Sequence, residues 1–325
     1  MKQRLLSLVL SIIFLFVFVE TWAGTSKCVA YSNPSDGGTV AVKYGSSKSN
    51  YGTSANKSNF VSFSSGTDTY YLYYKTNTNY KFRCWSKSQT STTNLTSDGQ
   101  SVSCSRPSTG TTTTPYYALF ARMTADKSSV AFGSVNVGSS SSATTITITH
   151  AHADKITASL SGANSGDFVL SRTTPVTSSV AESSDTITVT FKPTCNGKRT
   201  ATLTLHSSYT GLSNVTISLS GTGVLISNPL AVAATSKSMM VGDEWTGVVT
   251  AKGDGTISTS SSNSDVATYN VANDKIVAKG EGTATITISQ AAGCQYADTS
   301  KTINVYVFNK KVPEFAPSFA GTTCA

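Results

Sequence analysis

The chain has little charge. Asp, Glu, Lys and Arg make up 13% of its 325 residues, about half the usual share. Only three histidines occur, His150, His152 and His206, so imidazole donors for a catalytic triad or a metal cage are scarce. None of the six cysteines falls in a CxxC pair, which removes zinc-ribbon and thioredoxin-like chemistry. No serine stands in G-x-S-x-G. Gly52 to Ser58 is like a phosphate loop only in part, because the second glycine before Lys57 is missing. The acids Asp243, Glu244 and Asp254 fall in turn sequence, whereas glycosidase carboxylates need a cleft. Basic clusters are absent too. The net charge of +8 is spread thinly, with Lys198-Arg199 and Lys310-Lys311 as isolated pairs. Nucleic acid needs clustered charge to neutralise phosphates. Weak attraction to anionic envelopes or acidic glycans suits this distribution better. No catalytic residue, cofactor or metal is assigned, and the chain is read as a non-enzyme.

Long apolar runs are lacking after the first residues. Lys2 and Arg4 precede the run from Leu5 to Val19, and Thr21-Trp22-Ala23-Gly24 offers small residues for cleavage. This is the pattern of a secretory signal peptide over residues 1–23. The rival, an uncleaved anchor, needs about 20 apolar residues. The expected location is the cell surface or extracellular space, with the periplasm as the remaining option. No membrane-spanning helix is expected after cleavage. In such a compartment cysteines can pair. Cys84 and Cys104 are the pair favoured by proximity, with Cys28 competing for either partner. Cys195, Cys294 and Cys324 lie in different segments and are expected to stay unpaired.

What the chain has in quantity is period-two alternation. Ile146/Ile148, Ile187/Val189/Phe191, Ala201/Leu203/Leu205 and Val215/Ile217/Leu219 each alternate with Thr or Ser. Ala284/Ile286/Ile288 and Ile303/Val305/Val307 repeat the pattern. Such strands put one face in a core and the other in water. Glycine turns such as Asn196-Gly197 and Asp254-Gly255 punctuate them, and no helical period is sustained. The expected fold is all-β: tandem Ig-like β-sandwich domains with a small β-rich N-terminal repeat domain. Expected borders give a first domain at 24–121, a second at 122–224 and a third at 225–308. Residues 309–325 form a tail or the start of a further module, as expected of an N-terminal piece of a longer surface protein.

Family resemblances rest on particular residues. Phe132-Gly133-Ser134, Ser161-Gly162, Val189-Thr190-Phe191-Lys192-Pro193-Thr194 through Gly197, and Leu219-Ser220-Gly221-Thr222-Gly223 follow one another in the order of ASH/hydin-type Ig-like domains. The resemblance, which extends to the choice-of-anchor D repeats of bacteria, implies a seven-stranded spacer or interaction module without catalytic residues. Val241-Gly242-Asp243, Ser260 to Ala267 and Val277 to Ala284 resemble the second group of bacterial Ig-like domains, which recur in adhesin stalks. The Trp often found before the S-s-d element is replaced here by Ser/Thr sequence around Ser258. Gly37-Gly38-Thr39-Val40, Tyr80 to Trp85 and Tyr116 to Phe120 resemble a divergent internalin-type B-repeat, with Cys84 at a position that family usually gives to Gly. The combination is similar to surface proteins of Bacteroides-like bacteria.

Binding chemistry concentrates in one place. Tyr70-Tyr71-Leu72-Tyr73-Tyr74 precedes Tyr80, Phe82 and Trp85. On a strand, Tyr71 and Tyr73 share one face, opposite Tyr70, Leu72 and Tyr74. One face must be core; the other either offers rings to a sugar or protein, or is covered by neighbouring strands. Tyr71, Tyr73 and Trp85 are the candidate ligand-binding residues. His150, His152 and Asp154 also share a strand face and could ligate a metal, although polar strand-end surface is the simpler account. The function expected is non-catalytic adhesion or spacing, with an extracellular protein or glycan as partner. Polysaccharide or glycoprotein binding by the Tyr-rich first domain is the alternative. The sequence leaves the oligomeric state open.

Overall fold

The computed structural model describes residues 26–44, 58–63, 67–90, 101–105 and 112–309. The expected signal peptide lies outside these. Six strands come first: β1 (Ser26–Asn33), β2 (Gly38–Tyr44), β3 (Ser58–Phe63), β4 (Thr67–Thr76), β5 (Lys81–Ser86) and β6 (Ser101–Ser105). A long β7 (Thr112–Ala125) leads to β8 (Ser129–Asn136), β9 (Thr144–Ala151), β10 (Ile156–Ser161), β11 (Phe168–Leu170), β12 (Ser183–Phe191), β13 (Gly197–Ser207) and β14 (Val215–Val224). The last group is β15 (Ala231–Val232), β16 (Ser236–Met240), β17 (Glu244–Thr246), β18 (Val249–Ala251), β19 (Ile257–Ser261), β20 (Ala267–Asn270), β21 (Lys275–Ala278), β22 (Gly282–Gln290) and β23 (Thr299–Phe308). The fold is all-β, as the alternation predicts. The chain separates into two compact units: 1–131 with 142–190 and 200–219, and 132–141 with 191–199 and 220–325.

In the first unit, β2, β4 and β6 form one sheet, and β1, β3, β5 and β7 belong to another. Val40, Val42 and Leu72 from the first sheet meet Ala30, Trp85, Tyr116 and Phe120 from the second. Each fully buried large apolar side chain contributes about 1.5–3 kcal/mol. The glycine pair of this segment has a packing reason. A Cβ on Gly38 would lie 2.3 Å from the Lys75 carbonyl oxygen and 2.7 Å from the Phe120 ring. Gly38→Ala is therefore expected to cost about 2 kcal/mol through overpacking, read as a lowered unfolding midpoint. An unchanged midpoint would show that β2 yields at this point.

β7 is the organising strand. Its N-terminal part pairs in parallel with β1, from Ser26↔Thr112 to Asn33↔Leu119. It pairs antiparallel with β5 up to Lys81↔Ala121. Its last residues pair with β9, from Arg122↔Ala151 to Ala125↔Ile148. The border expected near residue 121 thus falls inside an unbroken strand, so residues on either side are joined by one hydrogen-bonded ladder. The same sheet continues through β12 to β11. Ile187 lies opposite Ile146, and both are fully or nearly fully buried. A second sheet runs β10-β13-β14-β8. Its residues Leu203, Leu205, Ile217 and Leu219 are buried at every second position, while the intervening Thr and Ser face outward.

In the second unit, β16-β23-β22-β19 forms one sheet and β17-β21-β20 another. Ile286, Ile288, Ile303 and Val305 are fully buried, and Ile276 and Ala278 belong to the same core. Trp245 packs against this core from β17, an aromatic contribution from a different place than the S-s-d element. Gly221 and Gly223 also have packing reasons. A Cβ on Gly221 would sit 2.4 Å from the Phe191 ring, and one on Gly223 2.2 Å from the Cys195 carbonyl oxygen.

Candidate functional site

One polar cluster of the first unit grows from an irregularity in β5. The register of β5 against β7 shifts between Phe82 and Cys84. A β-bulge of this kind re-aims the extra side chain, here Arg83. Phe82 packs on the first core and Trp85 is fully buried within it. The Arg83 guanidinium makes a two-pronged ion pair with Asp154, at 2.8 and 2.9 Å to its two carboxylate oxygens. It also donates to the His152 carbonyl at 2.6 Å. Its Cζ lies 4.5 Å from the centre of the Tyr209 ring. Such planar, bidentate contacts are specific to arginine. His152 and Asp154 have φ of 44° and 58°, a left-handed turn that side chains rarely adopt. Arg83 holds that turn from both its carbonyl and carboxylate sides.

His152 is fully buried, and neither ring nitrogen has a hydrogen-bond partner. Burial, reinforced by the nearby Arg83 charge, lowers its pKa to about 4. The ring is therefore neutral at pH 7. His150 is also buried, but its nitrogens are both engaged. Nδ1 lies 2.7 Å from the Ser179 hydroxyl and Nε2 3.1 Å from the Asp185 carboxylate. The two imidazoles thus serve different surroundings. Among the described residues no group of three or more His, Cys, Asp or Glu is arranged to hold a metal ion.

A second cluster surrounds Tyr80. Its hydroxyl donates to Asp36 at 2.8 Å, Arg122 lies 4.8 Å over its ring, and Arg122 pairs with Glu182. Burial and the hydrogen bond to Asp36 push the Tyr80 hydroxyl well above its ordinary value, so it stays a donor. Beside it is a cleft of about 380 Å³ lined by Asn79, Tyr80, Lys81, Met123, Leu212 and Asn214 among others.

The structure distributes the sequence candidates unevenly. Trp85 is fully buried and Tyr73 is 7% exposed, so neither offers a ring face to solvent. On β4, which lies between β2 and β6, the buried positions are Leu72 and Tyr73. Tyr74 is the exposed ring, stacked on Phe82 with centroids 3.6 Å apart. The Tyr71 side chain lies outside the described residues. Cys84 is buried, and the side chain of its expected partner Cys104 also lies outside them. Cys195 and Cys294, expected unpaired, are joined by a disulfide with their Cα atoms 4.7 Å apart. They lie in the turns before β13 and before β23, which packing brings together within the second unit. Arg83, Tyr209 and this disulfide escaped the sequence reading because each contact joins residues roughly 70 to 130 positions apart by no local pattern.

The turn carrying Cys294 is built on Asp254. The Asp254 carboxylate accepts from the Cys294 and Gln295 N–H groups at 2.8 Å each, and from Tyr296 at 3.4 Å. Desolvation, which pushes this carboxyl up, is outweighed by those N–H groups, and its pKa falls below the usual value. Asp254→Ala is expected to speed amide exchange at Cys294, Gln295 and Tyr296 while leaving β22 protected. Equal protection in both proteins would contradict this role.

The geometry defines a protein of the β-sandwich class. More particularly, residues 118–215 match the family described as abnormal spindle-like microcephaly-associated, ASPM-SPD-2-Hydin (ASH). An ASH domain is thus detected in the middle of the chain, over under a third of its length, and it begins inside β7. No curated protein matches the chain. Among solved structures, the ASH/PapD-like domain 7 of human CEP192 is 15% identical, with 31% of this chain and 84% of that one covered at a TM-score of 0.25. The human desmocollin-1 ectodomain is 7% identical, with 89% of this chain and 61% of that one covered at 0.32. A Bacteroides ovatus GH5 xyloglucanase is 16% identical, with 37% and 26% covered at 0.24. These likenesses concern β architecture alone. Among the described residues no helix is long and apolar enough to cross a membrane.

Proposed function

We propose that this chain is an exported, non-catalytic adhesion or spacer protein of the cell surface, assembled from Ig-like modules. One observation carries the reading: its first two segments are fused through one strand rather than joined by a loose linker. β7 continues unbroken from pairing with β1 and β5 to pairing with β9, and the ion pairs Arg83–Asp154 and Arg122–Asp36 cross the same border. A part that must hold a distance gains from such continuity, since a flexible linker would surrender it to chain entropy. The ASH match over 118–215 and the alternating, hydroxyl-rich strand faces support the same reading. The bacterial source and the flanking B-repeat-like and group 2 Ig-like assignments belong to this proposal. N-terminal sequencing of the chain from its own cells, with protease shaving of intact cells, tests it. The expected result is a mature start at Gly24 and cleavage from outside. A chain retaining Met1 and protected inside the cell would refute it.

A second reading is polysaccharide or glycoprotein binding through the first segment, with Tyr71, Tyr73 and Trp85 as the initial candidates. The cleft beside Tyr80 favours it, because the Asn79 and Asn214 amides and the Lys81 ammonium suit sugar hydroxyls or acidic groups. Glycan-array binding lost in the Asn79→Ala, Asn214→Ala double variant would support this reading. An array without any bound glycan would end it.

A further inference from the structure

We infer that the Cys195–Cys294 disulfide is a tension bypass: pulling force that enters before Cys195 leaves after Cys294 without loading the residues between. The inference rests on the spacer reading for its biological meaning, but its mechanics follow from the covalent path. The two cysteines are 99 positions apart in sequence, with Cα atoms 4.7 Å apart. The enclosed loop holds β13, β14 and every strand from β15 to β22. Only β23 of the last group lies beyond it. β23 starts at Thr299, five positions after the bridge, and already runs extended to Phe308. Tension leaving Cys294 therefore passes along one extended strand, β23, which supplies Ile303, Val305 and Val307 to the core. The strands carrying Ile276, Ile286 and Ile288 lie off the covalent path of the load.

The surroundings favour this role. The Asn196 N–H donates to the Cys294 carbonyl at 2.9 Å, and the Ile226 N–H to the Gln295 carbonyl at 2.9 Å. The Asp254 carboxylate caps the Cys294 turn. The close approach of Gly223 to the Cys195 carbonyl leaves no room for a larger residue there. The bridge thus joins two turns that also share a backbone hydrogen bond, one of them capped by Asp254. A backbone spans at most about 3.3–3.6 Å per residue, so the loop hides about 340 Å of contour length.

Single-molecule stretching of the full exported chain by its two ends tests the inference, with peptide mapping of the bridge on the same preparation. Without reductant, the contour released on full extension should be about 340 Å shorter than with a water-soluble phosphine. In that reaction the S–S bond breaks and phosphorus gives two electrons to the sulfurs. Water supplies oxygen to the phosphorus and two protons to the thiolates. A Cys195→Ser, Cys294→Ser double variant should release the longer contour without reductant. Reduction of already folded wild-type chains gives the same comparison free of any folding defect in the variant. Equal contours with and without phosphine, or mapping that finds Cys195 and Cys294 unbridged, would overturn the inference. Failure of the spacer reading would leave the contour difference intact, so the two failures are distinguishable.

Discussion

Arg83→Ala is expected to lower the unfolding free energy by about 3 kcal/mol. The guanidinium side chain is 13% exposed and its partner Asp154 35%, so screening by water is partial. Its loss removes two charged hydrogen bonds to Asp154, one to the His152 carbonyl and the stacking on Tyr209. The left-handed 152–154 turn would then lose the group that satisfies it. Arg83→Lys should recover less than half of the effect, because an ammonium cannot form the fork. Denaturant unfolding of the two variants, with amide exchange at β5 and residues 152–154, measures this. A double cycle with Asp154→Ala should show coupling of about 1–2 kcal/mol. A cost below about 0.5 kcal/mol, the range of ordinary surface changes, would mean that Arg83 is surface decoration.

Acid is expected to act through His152. Its folded pKa of about 4 lies below the unfolded value of 6.5. Between those values the unfolded chain binds the proton more readily, so stability is full above pH 6.5 and falls as pH drops toward 4. The loss at this one site amounts to about 3 kcal/mol at the acid end. His152→Asn keeps a residue that tolerates the left-handed backbone and removes the titration. The variant should flatten the pH dependence between 6.5 and 4 relative to wild type. An identical slope in both proteins would place the acid sensitivity elsewhere.

Sequence and structure agree best where a local pattern dictates the answer. The alternating runs at Ile146/Ile148, Leu203/Leu205 and Ile286/Ile288 become strands with those side chains inside, because period two admits only one burial choice per face. The glycines of Gly37-Gly38 and of Ser220-Gly221-Thr222-Gly223 prove to be close-approach positions. Legibility falls where contact depends on long-range packing. Tyr73 and Trp85 are candidate ligand-binding rings by sequence, and both are buried. Alternation alone does not say whether the second face of β4 is covered, and at Tyr73 it is. Cys195 and Cys294 fall in separate sequence segments, and the bridge forms because two distant turns meet. His150 and His152 show the same limit: their spacing matches a ligand pair, but the ring of one is tied to Ser179 and Asp185 while the ring of the other is buried without a hydrogen-bond partner.

A chain of this kind works either by reach or by contact. The direct measurement is attachment of its own cells to their natural surface with residues 225–308 deleted, and with the same residues replaced by an unrelated β-sandwich of equal length. Reach predicts that deletion impairs attachment and that the replacement restores it. Attachment lost equally in both variants would assign a specific contact to that segment and contradict the spacer account.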